Sequence, residues 1–258
     1  MEVIVVPAAQ DVALAAAGII SRLVTGKPGA VLGLATGASV KRVYAELVLA
    51  HHDHALDFSR VTTFNLDEYV GLSPSHPASF HSFMEERFLS RVNVDRRRVH
   101  LPPAEGDDLA GLCEKYERDI RAAGGIDLQL LGIGRDGHLG FNEPTSSLAS
   151  RTRIKTLTGL TREANRSGFG GDDVPLHVVT MGIGTILEAR HCLLVADGSA
   201  KADAVARMVE GPLTAMVPAS ALQLHPHVTV IVDELAAAGL SLRDYYREVQ
   251  RNKPDWQR

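Results

Sequence analysis

Residues 126–144 read IDLQLLGIGRDGHLGFNEP, an apolar run that opens into a loop holding Asp136, His138 and Glu143 among Gly132, Gly134, Gly137 and Gly140. The apolar part, 126–133, is short and rich in branched residues, which is the pattern of a strand buried on both faces. The same pattern recurs at 2–6, 30–35, 61–66, 177–183, 192–196 and 228–233, and each run predicts a buried parallel strand. Helix-like segments lie between them at 11–24, 40–50, 77–92, 107–123, 200–210 and 242–250, several opening on a cap residue or a Pro. This alternation predicts an open, mostly parallel α/β sheet with helices on both faces and functional residues where strands end. There is no internal repeat, low-complexity tract or linker. The stretch SGFGGDD at 167–173 is too short to separate domains and reads as a mobile loop. One domain over 1–258 with a flap around 157–175 is expected.

With 258 residues, 45% hydrophobic and 22% charged, the chain is long enough to bury a sizeable core, and disorder, collagen and coiled coil are excluded. The net charge of -4, from 27 basic and 31 acidic residues, leaves no positive surplus for gathering a nucleic acid. Cys113 and Cys192 lie far apart in no metal-ligand spacing, so neither a disulfide scaffold nor a cysteine-based metal site is expected, and the compartment reads as reducing. The beginning, MEVIVVPAAQ, lacks the basic and apolar regions of a signal peptide, and no apolar run reaches membrane-spanning length. A soluble cytoplasmic protein without membrane partners is the expectation.

Four strings carry possible chemistry. In VLGLATGASVKRVYAEL (31–47) a buried strand runs through Thr36, Gly37, Ala38 and Ser39 into a helix, aiming free N–H groups, hydroxyls and the positive helix end at one point, as a phosphate requires. A tight strand-to-helix turn needs the same Gly without any ligand, and the string alone leaves both open. It is neither a P-loop nor a three-glycine dinucleotide fingerprint, so a nucleotide cofactor is disfavoured. In VTTFNLDEYVGL (61–72) Asp67 and Glu68 follow an apolar strand as paired carboxylates able to supply a general base, or as turn and cap acids. In the loop at 134–143, Asp136, His138 and Glu143 crowd one strand end. A histidine between carboxylates is a proton-transfer constellation. In SSLASRTRIKTL (146–157) Arg151, Arg153 and Lys155 are spaced by two and would share one strand face, as a second phosphate site beside Ser146 and Ser147 or as a charged edge strand. The cluster His51, His52 and His54 follows a helix end and reads as solvated loop, Arg96–Arg98 reads as surface, and Lys201 points a cation at the strand-end rim.

The strings LGLATGAS, FNLDEYVGL followed by HPASFHSFM, LLGIGRDGHLGFNEP, SSLASRTRIKTLT and LQLHPHVTVIVD, in this order, resemble the glucosamine-6-phosphate deaminase family over nearly the whole chain. The resemblance implies a single Rossmann-like α/β domain. The implied reaction converts glucosamine 6-phosphate and water to fructose 6-phosphate and ammonia, as an ammonia-releasing hydrolase of the amino-sugar C–N bond without metal or other cofactor. It assigns Asp67 as the base moving a proton from C2 to C1, His138 as the ring-opening acid, and Asp136 and Glu143 as the groups orienting that histidine. Thr36, Gly37, Ala38 and Ser39 would hold the substrate phosphate, with Lys201 as cationic partner. Two departures stand out: Ser39-Val40 replaces the family's Thr-Pro, and the flap reads ANRSGFGG, so that Arg166, carried over as the flap arginine, lies one position off. One branch of the family forms hexamers activated by N-acetylglucosamine 6-phosphate. The matching positions are Ser146, Arg153 and Lys155, with Tyr245 a looser match, and they imply an allosteric homohexamer.

Rival readings are a galactosamine-6-phosphate deaminase/isomerase, which nothing in the sequence excludes, a 6-phosphogluconolactonase, which needs no C2 base, and a non-catalytic sugar-phosphate sensor. A regulatory sensor would carry a DNA-binding segment, for which a first strand beginning at residue 2 leaves no room.

Overall fold

Six of the seven predicted strands pair in parallel because they are apolar on both sides and can be covered by helices on both faces. The computed structural model describes residues 1–254; the remainder of the predicted domain, 255–258, lies outside the described residues. In chain order the elements are β1 (Glu2–Val6), α1 (Ala9–Gly26), β2 (Val31–Leu34), α2 (Ala38–His54), β3 (Thr62–Asn65), β4 (Asp67–Tyr69), α3 (Phe80–Arg87), β5 (Val99–His100), α4 (Leu109–Ala122) and β6 (Leu128–Leu131). They continue with β7 (Arg153–Thr156), α5 (Gly159–Asn165), β8 (His177–Thr180), α6 (Ile183–Leu187), β9 (Cys192–Ala196), α7 (Ala202–Val209), β10 (Val228–Asp233) and α8 (Arg243–Arg251). The main sheet has the order β1-β10-β9-β6-β2-β3-β5, every pair parallel and the two edges unjoined. Every residue of β2, β6, β9 and β10 is buried. Chain order reverses between β2 and β6, so the loops leaving these two strands part in opposite directions and open a crevice at their carboxyl ends.

The seventh predicted strand, at 177–183, does not join this sheet. Its ordered part, β8, is the centre of a second sheet of three antiparallel strands, β4-β8-β7, with Asp67 opposite Thr180 and Arg153 also opposite Thr180. A short apolar run fits either kind of sheet, and its periodicity does not say which neighbours it will find. The two sheets meet at Leu66. Its N–H donates to Leu34 O (2.9 Å) and its carbonyl accepts from Met181 N–H (2.7 Å), so β3 passes directly into β4. A separate apolar cluster of Tyr69, Phe141, Leu157, Phe169, Val174 and Val178 fills the space behind the small sheet. The predicted flap is built from α5 and a 3-10 turn at Arg166–Phe169, and Phe169 packs its ring 5.1 Å from that of Tyr69.

Two local expectations change. The cluster His51, His52 and His54 belongs to the last turn of α2 rather than to the loop beyond it, with His51 Nδ1 2.7 Å from the Leu56 carbonyl. The three basic residues at 151–155 do not form one face. Arg151 lies before β7 and turns inward to the carboxylates of Glu188 and of Glu117, which is buried on α4. Only Arg153 and Lys155 stay on a common side. Cys113 and Cys192 are buried free thiols, and among the described residues no helix is long and apolar enough to cross a membrane and no His/Cys/Asp/Glu cluster could hold a metal.

Glu117 is the tie that drew Arg151 away. Its carboxylate accepts the Thr152 N–H (2.8 Å), the Thr152 hydroxyl (2.5 Å) and the Thr185 hydroxyl (2.5 Å), joining α4, the entry to β7 and α6. Burial pushes its carboxyl up, but these donors and Arg151 outweigh that and hold it below its ordinary range. Glu117→Ala leaves buried donors without an acceptor and should cost about 2–4 kcal/mol in urea unfolding. Because folding lowers this carboxyl's pKa, its share of the stability should fade as pH falls through the acidic range, and the difference between wild type and variant should shrink with it.

Candidate active site

The crevice between the β2 and β6 loops is a cleft of about 930 Å³ lined by the start of α2, the loop 132–140, Asp67, Phe80, Thr161 and Lys201. Asp67 opens β4 directly after the sheet crossing, and its backbone register opposite Thr180 fixes its direction. Its side chain is 5% exposed, and burial reinforced by the neighbouring Glu68 pushes its carboxyl up to about 8. Space for that carboxylate is left by Gly140, where a Cβ would lie 3.1 Å from Asp67 Oδ2 and 2.9 Å from Thr180 Oγ1.

Glu68 does not share this site, contrary to the paired-carboxylate expectation. Alternation along β4 turns it to the other side, where it accepts N–H bonds from Tyr69 (2.9 Å), Phe80 (3.0 Å) and His81 (2.8 Å) and so caps the first turn of α3. Burial nevertheless leaves its carboxyl above the ordinary range. One acid of the pair therefore faces the cleft and the other anchors a helix.

The loop after β6 folds back on itself through Gly134 N–H to His138 O (3.0 Å) and Gly137 N–H to Gly134 O (3.1 Å). The imidazole of His138 lies flat against Gly134: a Cβ there would come within 2.1 Å of Cε1, so this position must be glycine. Asp136 Oδ1 is 2.6 Å from His138 Nδ1 and accepts the His138 N–H at 3.1 Å. The imidazole, offsetting some burial, holds the Asp136 carboxyl down at about 2. Asp136 and His138 are thus brought together as expected, with Nε2 left for a proton in the cleft. Glu143 is not part of the pair. Its carboxylate accepts the hydroxyl of Thr161 on α5 instead, because the chain turns away through Asn142 before reaching it.

At the other end of the cleft α2 begins at Ala38 behind Gly37, with no side chain capping its first turn. Thr36, Gly37, Ala38 and Ser39 line the cleft there, at a helix start whose first N–H groups have no side-chain partner. Lys201 reaches the same place, its ammonium donating to Ile133 O at 2.6 Å; burial first and then the charge of Arg135 lower its pKa. Arg166 does not reach it. Its guanidinium is exposed and paired with Glu163 (3.1 Å) one turn back on the same stretch of chain. The arginine that lines the cleft, beside Lys41 and Lys201, is Arg135, which the sequence pattern did not single out; the signal was a lone arginine inside the glycine-rich loop at a strand end.

The remaining positions lie outside the cleft. Ser146 is buried with its hydroxyl unpartnered, Arg153 is half-buried and donates to Asn142 Oδ1 (2.8 Å), and Lys155 follows on the same side of β7. Tyr245 is 59% exposed on α8, which packs on the β1 edge of the main sheet, so within one chain it does not join them.

An open parallel sheet with an uncapped helix start and an Asp–His pair at its switch point defines an α/β protein whose ligand cleft lies at the carboxyl ends of the strands. The family model "Glucosamine-6-phosphate isomerases/6-phosphogluconolactonase" matches residues 7–231, and the chain belongs to that family. A glucosamine-6-phosphate deaminase of Arthrobacter sp. (strain FB24) is 54% identical over 258 residues, covering 100% of this chain and 99% of that protein. The solved structure of a monomeric glucosamine-6-phosphate deaminase superimposes with a TM-score of 0.90 at 43% identity, over 93% of this chain and 100% of that one. The 6-phosphogluconolactonase of Trypanosoma brucei, at 18% identity, has a TM-score of 0.74 over 93% and 98% of the two chains and shares the fold.

The pairing of Asp136 with His138 predicts that His138→Ala will lift the Asp136 carboxyl from about 2 toward its ordinary range. Side-chain ¹³C NMR titration of wild type and variant reads this directly.

Proposed function

We propose that the chain works as one catalytic domain over residues 1–258 that turns glucosamine 6-phosphate and water into fructose 6-phosphate and ammonia. The observation that carries the proposal is the buried carboxylate of Asp67 facing the same cleft as the Asp136–His138 pair and the open start of α2. The relatives named as glucosamine-6-phosphate deaminases support the substrate. A lactonase has no use for a carboxylate base held at that point.

The steps follow from the groups present. The sugar phosphate is held by the N–H groups and hydroxyls of Thr36–Ser39 with Lys201 beside them. His138, oriented by Asp136, gives a proton to the ring oxygen and takes up the C1 hydroxyl proton in exchange, so the ring opens to the aldehyde. The C1 carbonyl then acidifies the C2 proton. Asp67 removes it while the imidazolium of His138 returns a proton to the C1 oxygen, leaving an enolamine, and Asp67 then delivers its proton to C1. The resulting C2 imine adds water and expels ammonia, leaving the C2 ketone. The net change is an aldose-to-ketose isomerisation coupled to deamination, and no step draws on a metal or redox group. A base pushed up to about 8 is a stronger proton acceptor than an ordinary aspartate, and removal of its charge on taking the C2 proton is favoured by the dry site.

Ammonia release from glucosamine 6-phosphate, with galactosamine 6-phosphate and 6-phosphogluconolactone as comparisons, tests the substrate. No release from either amino sugar, with lactone hydrolysis in its place, would remove the deaminase reading. Asp67→Asn should lower kcat by about 10²–10⁴-fold and abolish solvent exchange of the C2 proton. In the wild type kcat/KM should climb as pH rises through about 8, where Asp67 ionises. Folding raises this pKa above that of an unfolded aspartate, so the fold loses stability from about pH 4, where the unfolded side chain ionises, up to about pH 8, where the folded one does. The melting temperature of Asp67→Asn relative to wild type should therefore rise between about pH 4 and about pH 8 and level off beyond, measured by thermal scans across pH.

The proposal extends to activation by N-acetylglucosamine 6-phosphate in a cytoplasmic homohexamer, with Ser146, Arg153, Lys155 and Tyr245 around the activator. The buried, unpartnered Ser146 hydroxyl in the segment that precedes β7 and the half-buried Arg153 support a polar ligand there. Since Tyr245 lies away from the other three within one chain, it could reach that ligand only from a second subunit. Activator should lower the concentration of substrate at half-saturation, and sedimentation should give a six-chain particle. A single-chain particle indifferent to the acetylated sugar would leave the enzyme and remove the regulation.

A further inference from the structure

A sugar phosphate dianion buried in a cleft calls for more than one positive charge, and the flap arginine that the resemblance assigns to this task is turned away on Glu163. The loop from Ile133 to His138 supplies another. Lys201 is fastened to the Ile133 carbonyl at 2.6 Å, two residues before Arg135, and both side chains line the cleft together with the α2 start. Arg135 is exposed to the cleft and makes no ion pair among the described residues, although Asp136 is its neighbour in sequence; that carboxylate is engaged by His138. The two like charges repel, and the lowered pKa of Lys201 reflects burial first and then this neighbour, which together outweigh the opposing pull of Asp197 and Asp136. Lys41 also lines the rim, but it is not among the charges felt by Lys201.

We propose that Arg135 is a substrate-binding residue that, with Lys201 and the first turn of α2, closes on the phosphate of the substrate in place of a flap arginine. The proposal rests on the sugar-phosphate reading of the cleft. The guanidinium offers a planar fork that matches two phosphate oxygens, whereas Lys201 acts as a point charge fixed to the loop. Because Gly134 is pressed against the His138 imidazole and Asp136 against its Nδ1, the loop that carries Arg135 also carries the ring-opening acid. Phosphate and proton donor are thereby registered to one another by three peptide links of chain rather than by a moving flap.

Arg135 contacts the part of the substrate that does not react, so its loss should appear in binding. Arg135→Gln should raise KM for glucosamine 6-phosphate and the inhibition constant of inorganic phosphate by roughly 10- to 100-fold, with kcat within about twofold. Arg135→Lys should recover part of the loss, and Arg166→Gln should change KM by less than Arg135→Gln. An unchanged KM and phosphate inhibition constant in Arg135→Gln, a fall in kcat alone, or a larger effect of Arg166→Gln would each overturn the proposal. Calorimetric titration with inorganic phosphate repeats the comparison without turnover. If the wild type releases no ammonia, the deaminase reading fails while phosphate binding to wild type and Arg135→Gln still decides the role of Arg135.

Discussion

The site depends on a single residue being shared by two sheets. Leu66 takes a hydrogen bond partner from β2 on one side and gives its carbonyl to Met181 on the other, so the chain leaves the parallel sheet and begins the antiparallel one without a loop. The next residue, Asp67, has no slack in which to turn toward water. It is held at the seam, in a place where a carboxylate would not settle by its own preference, and the backbone hydrogen bonds of both sheets stand behind it. Everything chemical about the cleft follows from that fixed direction: the loop after β6 and the start of α2 approach the same point from the switch in strand order.

Two pairs of acidic neighbours show how the fold separates like groups. Asp67 and Glu68 are adjacent, yet one is denied partners and the other receives three N–H groups at a helix start. Asp136 is lowered by the imidazole against it, while Asp67 is raised by burial, so the cleft holds one carboxyl that keeps its charge under nearly all conditions and one that gains a proton readily. In the proposed reaction that division supplies a permanent anion to support the histidine and a basic carboxylate to take a carbon-bound proton.

Much of this was legible in the sequence because it rests on local patterns. The buried strands, the helices between them and the glycine-rich loop at 132–140 announce themselves through periodicity and residue type. The Asp136–His138 pair was legible because its members are two residues apart. Long-range competition was not legible. Arg151 appeared to belong with Arg153 and Lys155, but Glu117, 34 positions earlier in the chain, reaches it first. Glu143 appeared to belong to His138, but Thr161 from α5 claims its carboxylate. The strand at 177–180 carries the apolar signature of the main sheet and joins the other because β4 and β7 are there to flank it. Sequence spacing names the groups that can interact; which partner wins is set by what the topology brings alongside.

The segment that composition marks as the loosest, with Gly168, Gly170 and Gly171 in a row of small residues, is riveted at its middle by Phe169. Upstream, α5 is held to Glu143 through Thr161, and downstream Val174 is buried with its carbonyl taken by Arg162 Nε at 2.9 Å. A protease that cuts among these glycines would therefore produce two fragments that stay docked, since each new end is anchored by its own contacts. The polypeptide could be interrupted here, or lengthened by an inserted peptide, while the walls of the cleft kept their positions.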